Sequence, residues 1–251
     1  MKKRVVINPK FAQFQEFVNN IDGFFDTEGE LVYKKRNVVK RFKTHHGFNI
    51  IVKRYKHPNV IQQIGYTLYR PSKARRAYEF AIRLDNLGID TPTPIAYVEL
   101  WEKGVFTMGF FFASENNDRS CKDLYADSIS GLDSSEKDML ENELVDFIAR
   151  CHEYGFMHGD TNLSNFIYHK TSEGYHFAVI DINRSKFVNV PPTQAQCLDN
   201  LMRLTHDKPL LKRLVGKYAC RRGWEPQACQ EYVIAHLEKF ERKKKALKLV
   251  K

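Results

Sequence analysis

The sequence predicts an α+β fold of two lobes, with a small β-rich amino-terminal lobe that carries one helix and a mainly helical carboxy-terminal lobe. Residues 29 to 55 contain three short runs of β-branched and aromatic side chains separated by polar turns. Residues 140 to 151 and 229 to 240 instead place apolar side chains at the three- and four-residue spacing of buried helix faces. Residues 114 to 120 are polar and lack apolar periodicity, which favours a boundary between the lobes at this point.

The amino-terminal lobe, residues 1 to 115, is expected to begin with a three-stranded meander. Its strands are predicted at residues 29–33, 38–43 and 48–55. The last two are joined by the turn Thr44-His45-His46-Gly47, whose glycine suits a hairpin.

A helix and a second hairpin should complete this lobe. Ser72 can cap the helix and Gly88 can end it. Its buried face is expected to hold Ala77, Phe80, Ala81, Leu84 and Leu87. The hairpin is predicted from strands at residues 95–101 and 105–113.

The carboxy-terminal lobe, residues 116 to 251, is expected to be helical around a short β-segment at residues 166–168 and 175–180. Ser134 or Ser135 can cap a long helix. Its apolar stripe is Leu140, Leu144, Phe147, Ile148 and Cys151. The last helix carries His236 on an otherwise apolar face, which favours a packed, hydrogen-bonded histidine over a metal ligand.

Composition narrows the class of partner and the compartment. The 251 residues carry a formal net charge of +10. Residues 31 to 78 hold 13 Lys or Arg and no Asp or Glu, and residues 238 to 251 hold seven bases against two acids, so an anionic partner is expected. The apolar runs are too short for a membrane span or a signal peptide, which favours a cytoplasmic protein. The five cysteines form no C-x-x-C pair and are interpreted as buried or inert thiols.

The chemistry is expected between residues 158 and 184. The segment from His158 to Asn165 places the carboxylate of Asp160 and the amide of Asn165 five positions apart in a loop. In phosphoryl transfer such a carboxylate accepts the proton of the attacking hydroxyl, and the amide oxygen holds Mg²⁺ on the nucleotide phosphates. Asp181, directly after an apolar strand, is the expected principal ligand of that ion. His158 is interpreted as a structural residue that holds the loop.

Such chemistry also needs a lysine for the nucleotide phosphates and a helix carboxylate that orients it. Lys40 and Lys53 each follow a strand-like apolar pair, and the position of Lys53 on the third strand favours it. Glu79 is the only glutamate of the predicted helix and the expected partner of Lys53. The alternative is that Glu79 pairs with an arginine of its own helix, namely Arg75, Arg76 or Arg83.

The H-G-D-x-x-x-x-N and I-D motifs are similar to the catalytic and metal loops of the protein-kinase-like fold. Two protein-kinase features are missing from the sequence, the G-x-G-x-x-G loop between the first two strands and the A-P-E motif after Asp181. About seventy residues follow Asp181, which leaves little room for a peptide-binding platform. A small-molecule acceptor is therefore expected.

Five segments of the chain resemble the lipopolysaccharide core kinase family, the Kdo and heptose kinases. The segments are Val52 to Tyr55, Ser72 to Glu79, Leu87 to Pro94, His158 to Asn165 and Ile180 to Arg184, and the resemblance covers about residues 29 to 204. It implies a protein-kinase-like fold and ATP- and Mg²⁺-dependent transfer of the γ-phosphate to a sugar hydroxyl of the lipid A core. The expected place is the cytoplasmic face of the inner membrane.

The resemblance also implies roles for individual residues. It implies that Lys53 and Glu79 take part in nucleotide binding and that Asp160 is the catalytic base. It also implies that Asn165 and Asp181 bind the metal. The turn Lys34-Lys35-Arg36-Asn37 looks like the nucleotide loop of the family, which implies nucleotide contacts for Arg36 and Asn37. Asn183 stands where protein kinases have glycine, so a protein-kinase-type switch of the metal loop is not expected.

Two other functions stay open from the sequence. The same chemistry could serve another acceptor, such as a protein, an aminoglycoside-like antibiotic or a metabolite. A non-catalytic module could instead use residues 31 to 78 to bind nucleotide or nucleic acid, but the aromatic residues there have the spacing of strand cores, so no nucleic acid is expected. The expected partners are an anionic core sugar or other small acceptor and an anionic membrane surface. The phosphorylated hydroxyl and the oligomeric state are not determined by the sequence.

Overall fold

The structure, a computed structural model, describes residues 2–44 and 47–249; the side chains of residues 127, 128, 130 and 247–249 are not described. The chain divides into two compact units, Met1–Asn117 and Asp118–Lys251. Helices and antiparallel sheets occur in both, which confirms the α+β class. His45 and His46, in the turn expected between the second and third strands, lie outside the described residues.

The first unit is built on an antiparallel sheet of six strands in the order β1-β5-β6-β4-β3-β2. The strands are β1 (Lys2–Ile7), β2 (Glu30–Lys34), β3 (Val38–Lys43), β4 (Asn49–Arg54), β5 (Pro94–Glu102) and β6 (Val105–Ser114). The predicted meander and second hairpin are thus confirmed. Strand β1 was not predicted, because its three basic residues and three apolar residues give no alternation. It forms through pairing with β5, in which Val5 lies opposite Val98.

Three α-helices accompany this sheet, so the expectation of one helix in the amino-terminal lobe is wrong. They are α1 (Gln15–Phe24), α2 (Val60–Leu68) and α3 (Lys73–Asn86). The sequence of α1 contains Gly23 and two asparagines, and α2 contains Gly65 and Thr67, all weak helix formers. Both helices therefore depend on tertiary contacts, which a propensity argument does not include.

Helix α3 is the one that the sequence predicted. The Ser72 hydroxyl accepts a hydrogen bond from the backbone N–H of Arg75 at 3.1 Å, which confirms the cap. Tyr78 is buried where Phe80 was expected, and Phe80 is half-buried. Gly88 follows the helix with φ of 66°, a left-handed conformation that suits glycine at a helix end.

The second unit is mainly helical. Its helices are α4 (Cys121–Asp123), α5 (Ser134–Glu153), α6 (Gln194–Leu201), α7 (Lys208–Arg221) and α8 (Pro226–Leu249), and its short strands are β7 (Arg119–Ser120), β8 (Phe156–Met157), β9 (Phe166–Lys170), β10 (Tyr175–Val179) and β11 (Lys186–Phe187). The predicted stripe of α5 is buried. The cap of α5 is Asp133 rather than Ser134 or Ser135, since its side chain accepts the N–H of Glu136 at 2.8 Å and its charge faces the positive helix end.

Single residues of this unit also bear on the sequence predictions. His236 Nδ1 lies 2.8 Å from the carbonyl of Tyr232 and its ring stacks on the Tyr232 ring, which confirms a packed histidine. Four cysteines are buried as expected, whereas Cys220 is exposed because it lies on the solvent side of α7. None of the helices in the described part of the chain combines the length and apolarity that a bilayer-spanning segment requires.

Candidate active site

One buried imidazole fixes the loop between β8 and β9. His158 Nδ1 accepts the backbone N–H of Asp160 at 3.1 Å, and Nε2 donates to the carbonyl of Ile180 at 2.9 Å. The ring is only 3% exposed, and burial lowers the pKa of His158, which favours the neutral form that one donated and one accepted bond require. Because Ile180 precedes Asp181, His158 positions both candidate carboxylate loops. Its predicted structural role is confirmed.

Asn165 lies beside these two loops. Its Nδ2 donates to the carbonyl of Asp160 at 2.8 Å, and its own carbonyl accepts the N–H of Ile180 at 3.0 Å. The amide nitrogen is thus used to shape the loop, and Oδ1 is the atom suited to a cation. The structure therefore brings Asp160, Asn165 and the segment of Asp181 together around His158.

Asp181 has an unusual backbone conformation. Its φ of 57° and ψ of 39° are left-handed in a residue that is not glycine, which costs about 1–2 kcal/mol. Asn183 Nδ2 donates to Asp181 Oδ1 at 2.5 Å, and Asn183 is buried. Such strain concentrates at functional sites. The residue that replaces the protein-kinase glycine thus holds the carboxylate of Asp181.

The carboxylate of Asp160 lies between two arginines. Arg203 Nη2 donates to Oδ1 at 2.8 Å, and Arg184 Nη1 lies 3.4 Å from Oδ2. Gly159 allows Arg184 to approach, since a Cβ at Gly159 would lie 2.0 Å from the carbonyl oxygen of Arg184. Neither arginine was assigned a role from the sequence. Arg184 could have been noticed within the I-D segment, whereas Arg203 lies 43 residues from Asp160 with no motif.

A cavity of about 240 Å³ is lined by the two arginines that contact this carboxylate. Six of its lining residues are Gly159, Arg184, Lys186, Asp199, Asn200 and Arg203. Three of them are basic, and guanidinium groups bind carboxylates and phosphates in a planar fork. The cavity therefore suits a polar ligand that carries both hydroxyls and negative charge.

Asn200 connects the catalytic loop to a buried histidine. Its Nδ2 donates to the carbonyl of His158 at 2.8 Å, and its Oδ1 lies 3.0 Å from His152 Nε2. Because an amide oxygen only accepts, Nε2 of His152 carries the proton and Nδ1 accepts from the hydroxyl of Tyr218 at 2.7 Å. This chain of bonds requires a neutral His152.

Acid should therefore weaken the fold through His152. Full burial lowers the pKa of His152 to about 4. The unfolded chain binds a proton to this residue below its ordinary pKa of about 6.5 while the folded chain does not, so stability falls as pH decreases through this window. We expect the His152 contribution to reach about 3 kcal/mol of lost unfolding free energy at pH ~4.

Urea denaturation between pH ~7 and ~4 measures this effect. His152→Gln should flatten the slope while lowering stability at neutral pH, because the tyrosine and asparagine lose a partner. A wild-type and a variant protein with parallel pH profiles would contradict the assignment.

In the first unit, the two candidate lysines lie on opposite faces of the sheet. Lys40 is paired with Val52 on the face of the α1 core, and its Nζ donates to the carbonyls of Phe25 and Glu28, each at 2.6 Å. It therefore binds the carbonyl groups that follow α1. Lys53 lies opposite Phe111 of β6, and its side chain is therefore on the other face of the sheet.

The face of Lys53 is the one that packs against α3. The cluster there contains Tyr55, Ala74, Tyr78 and Tyr97, and Lys53 Nζ lies 5.4 Å from the centre of the Tyr55 ring. A lysine that is oriented by a carboxylate of α3 has to lie on the sheet face that packs against α3. This placement favours Lys53 over Lys40.

The remaining predicted nucleotide residues also lie in the first unit. Glu79 Oε1 accepts a hydrogen bond from Arg75 Nε at 2.7 Å, which is the pairing that the alternative for Glu79 described. Arg36 is exposed in the turn after β2. Asn37 Oδ1 accepts the backbone N–H of Lys56 at 3.1 Å and so ties this turn to the segment after β4.

The two lysines should give different defects. Lys40→Met should lower the melting temperature, because the carbonyl groups lose their cation, which costs about 1–3 kcal/mol of unfolding free energy. It should change kcat little. Lys53→Met should slow turnover by about 10²-fold with little change in melting temperature. Combined with Glu79→Ala, its effect should be less than additive.

Turnover and thermal melting of the same preparations decide between them. A Lys40 variant that melts normally but is inactive, beside an active Lys53 variant, would move the nucleotide site to β3.

The donor atoms of the second unit fit a magnesium ion that is held partly by phosphate. Asn165 and Asp181 offer one amide and one carboxylate, and Mg²⁺ is commonly bound by one or two carboxylates plus substrate phosphates. Among the described side chains of residues 2–44 and 47–249, no group of three or more His, Cys, Asp or Glu residues is arranged to hold a metal.

Both the sequence and the fold of the chain are similar to those of known proteins. The sequence model of the "Lipopolysaccharide kinase (Kdo/WaaP) family" matches residues 33–227. A solved structure of WaaP in complex with acyl carrier protein aligns with a TM-score of 0.65 and 16% identity, over 96% of this chain and 98% of that one. At this identity the likeness shows the fold, and it confirms the kinase-like two-lobe architecture. No curated protein matches the sequence.

Proposed function

The chain belongs to the lipopolysaccharide kinase (Kdo/WaaP) family, whose members are phosphotransferases that act on sugar hydroxyls, and on this premise we propose an ATP- and Mg²⁺-dependent kinase of the lipopolysaccharide inner core. Its acceptor is a hydroxyl of Kdo or heptose. The observation that supports this most is the contact of the Asp160 carboxylate with Arg184 and Arg203, which line a cationic cavity of about 240 Å³.

In the proposed mechanism, Asp160 accepts the proton of the acceptor hydroxyl. The hydroxyl oxygen forms a bond to the γ-phosphorus of ATP, the bond between that phosphorus and the β,γ-bridging oxygen breaks, and ADP leaves. His158 and Asn165 hold the loop, so that the carboxylate needs no reorganisation during the reaction. Asn165 and Asp181 would hold a Mg²⁺ ion, which would supply positive charge to the nucleotide phosphates. Lys53 binds the phosphates, and Arg36 and Asn37 contact the nucleotide. Glu79 exchanges its pairing with Arg75 for one with Lys53 and so orients the lysine.

The two arginines at Asp160 are proposed to bind the acceptor. Their guanidinium groups contact the carboxylate of Asp160 in this structure. A carboxylate or phosphate of the core sugar would compete for the same donors, and Lys186 adds a third positive charge. An acceptor with its own negative charge would thus draw Arg184 and Arg203 away from the base and leave Asp160 able to accept a proton.

A cytoplasmic enzyme that is peripheral to the inner membrane would meet such an acceptor. The basic end of α8 supports this placement. Its two acids, Glu238 and Glu241, are paired with Lys208 and His206 of the preceding segment, each at 2.7 Å, so the bases that follow are not neutralised by them. Of the seven bases counted in this tail, the side chain of Lys248 and the whole of Lys251 lie outside the described residues.

One incubation tests the proposal. Lipopolysaccharide from a strain that lacks the protein is treated with Mg·ATP and the enzyme, and mass spectrometry locates new phosphate on the core. Phosphate on a Kdo or heptose hydroxyl supports the proposal. ATP turnover with a protein or metabolite acceptor and none with the core would favour the second candidate, a kinase-fold enzyme for another acceptor.

A further inference from the structure

Helix α2 exposes the side that a soluble helix normally buries. Val60, Ile61, Ile64 and Leu68 lie three and four positions apart on one face, and their exposed fractions are 69%, 81%, 53% and 72%. Such a row of large apolar side chains on a protein surface marks a contact with a partner or a membrane. We refer to these four residues as the α2 ridge.

The opposite, more polar face of α2 is the one that packs on the protein. The Thr67 hydroxyl accepts the backbone N–H of Phe106 at 3.0 Å, and the ring of Tyr66 meets the edge of the Phe106 ring with centroids 5.4 Å apart. These contacts fix the rotation of the helix. The outward orientation of the ridge is therefore set by the fold of the first unit.

A cationic groove of about 520 Å³ continues from the end of this ridge. Leu68 and Tyr69 belong to its lining, and Tyr69 is 80% exposed. The charged and aromatic lining includes Lys2, Arg4, Tyr66, Arg70, Arg75 and Trp101. Tyrosine and tryptophan beside Lys and Arg are the composition that proteins place at the interface between headgroups and acyl chains.

The groove also contains a buried acceptor. Glu99 is 3% exposed, and its Oε2 has no hydrogen-bond partner in the described part of the chain; Arg4 Nη1 lies 3.8 Å away. A buried carboxylate oxygen without a donor is costly, so a ligand hydroxyl at this point would be favourable. Nearby, the pKa of the Arg76 guanidinium is lowered by burial and then by the charge of Arg70, which an anion would counter.

We propose that the α2 ridge and this groove bind the surface of an anionic bilayer. The ridge enters the boundary between headgroups and acyl chains, and the groove holds a headgroup that has both a phosphate and a free hydroxyl. Arg4 and Arg70 contact the phosphate, and Glu99 accepts the hydroxyl. Phosphatidylglycerol is the simplest lipid of this chemistry. This proposal rests on the proposed function in one respect, namely that the acceptor lies in a membrane.

Sedimentation with vesicles tests this surface in the full chain. Wild type should bind vesicles of phosphatidylcholine with phosphatidylglycerol and should not bind pure phosphatidylcholine. Ile61→Asn/Ile64→Asn should reduce the partition coefficient by about 10-fold or more, because two exposed side chains lose their transfer into the bilayer. Arg4→Gln/Arg70→Gln should cause a similar loss. Near-ultraviolet circular dichroism verifies the fold of each variant.

Matched variants control for general hydrophobicity and charge. Leu31→Asn/Val32→Asn removes two other exposed apolar side chains, and Lys122→Gln/Lys212→Gln removes two exposed charges of the second unit that lie outside the basic end of α8. Both should bind within about 2-fold of wild type. If either control loses as much vesicle binding as the α2 or groove variants, the binding is unspecific and the proposal is wrong.

Soluble probes separate a lipid from other occupants. Glycerol phosphate should bind weakly and equally to wild type and to Ile61→Asn/Ile64→Asn. Tight binding of glycerol phosphate alone, or vesicle binding that is insensitive to Ile61→Asn/Ile64→Asn, would overturn the membrane role, as would binding of an acidic soluble protein such as acyl carrier protein in place of vesicles. Asp160→Ala should sediment like wild type, so failure of the kinase proposal and failure of this one are distinguishable.

Discussion

Asp160→Ala should slow phosphoryl transfer to the core sugar by about 10² to 10⁴ and leave the affinity for Mg·ATP nearly unchanged. The expected size follows from the loss of a general base. Nucleotide affinity should persist for two reasons. The carboxylate contacts Arg184 and Arg203 at the side of the cationic cavity. The backbone carbonyl of residue 160, which accepts a hydrogen bond from Asn165, is retained in the variant. Single-turnover kinetics and calorimetry measure the two quantities.

Arg203→Gln is the informative companion of this variant. It removes the guanidinium group that donates to Asp160 Oδ1 but keeps the carboxylate. If Arg203 binds an anionic acceptor, KM for the acceptor should rise more than kcat falls. An Asp160→Ala enzyme within a few-fold of the wild-type rate would remove Asp160 from the mechanism.

The local part of this site was accessible from the sequence. Asp160, Asn165 and Asp181 were identified because they lie on two short segments whose motifs are set by local backbone geometry. The structure places those segments side by side through His158, which was also predicted to hold the loop. Strands β3 and β4 were similarly well defined by β-branched runs bounded by polar turns.

The long-range part was not accessible. Arg203 and Asn200 reach the loop from α6 and the segment that follows it, over 40 residues away in the chain, and no spacing rule links them to Asp160. Helix α2 was missed for a different reason. Its apolar face points to solvent, whereas a prediction from apolar periodicity assumes that the apolar face of a helix is buried.

Asp181→Asn should weaken binding of Mg·ATP and slow catalysis together, with a loss of about 10² to 10³ in kcat/KM for the nucleotide. Asn can adopt the left-handed conformation of Asp181 at least as well as Asp, so the variant removes the charge of a metal ligand without disturbing the backbone. Asn183→Ala provides a graded comparison. It keeps the carboxylate but removes the hydrogen bond to Oδ1, and a loss of about 10- to 100-fold is expected, as for other groups that orient a metal ligand.

Binding measured with and without the metal distinguishes loss of a ligand from loss of the fold. In the presence of a chelator, wild type and Asp181→Asn should bind ATP with the same affinity, because the substituted carboxylate acts through Mg²⁺. With Mg²⁺ added, only wild type should gain affinity, and raising the Mg²⁺ concentration should partly restore the variant. Calorimetry that shows equal Mg·ATP affinity for the two proteins would remove Asp181 from the metal site, and the ligand would then have to be sought among the other carboxylates of the second unit.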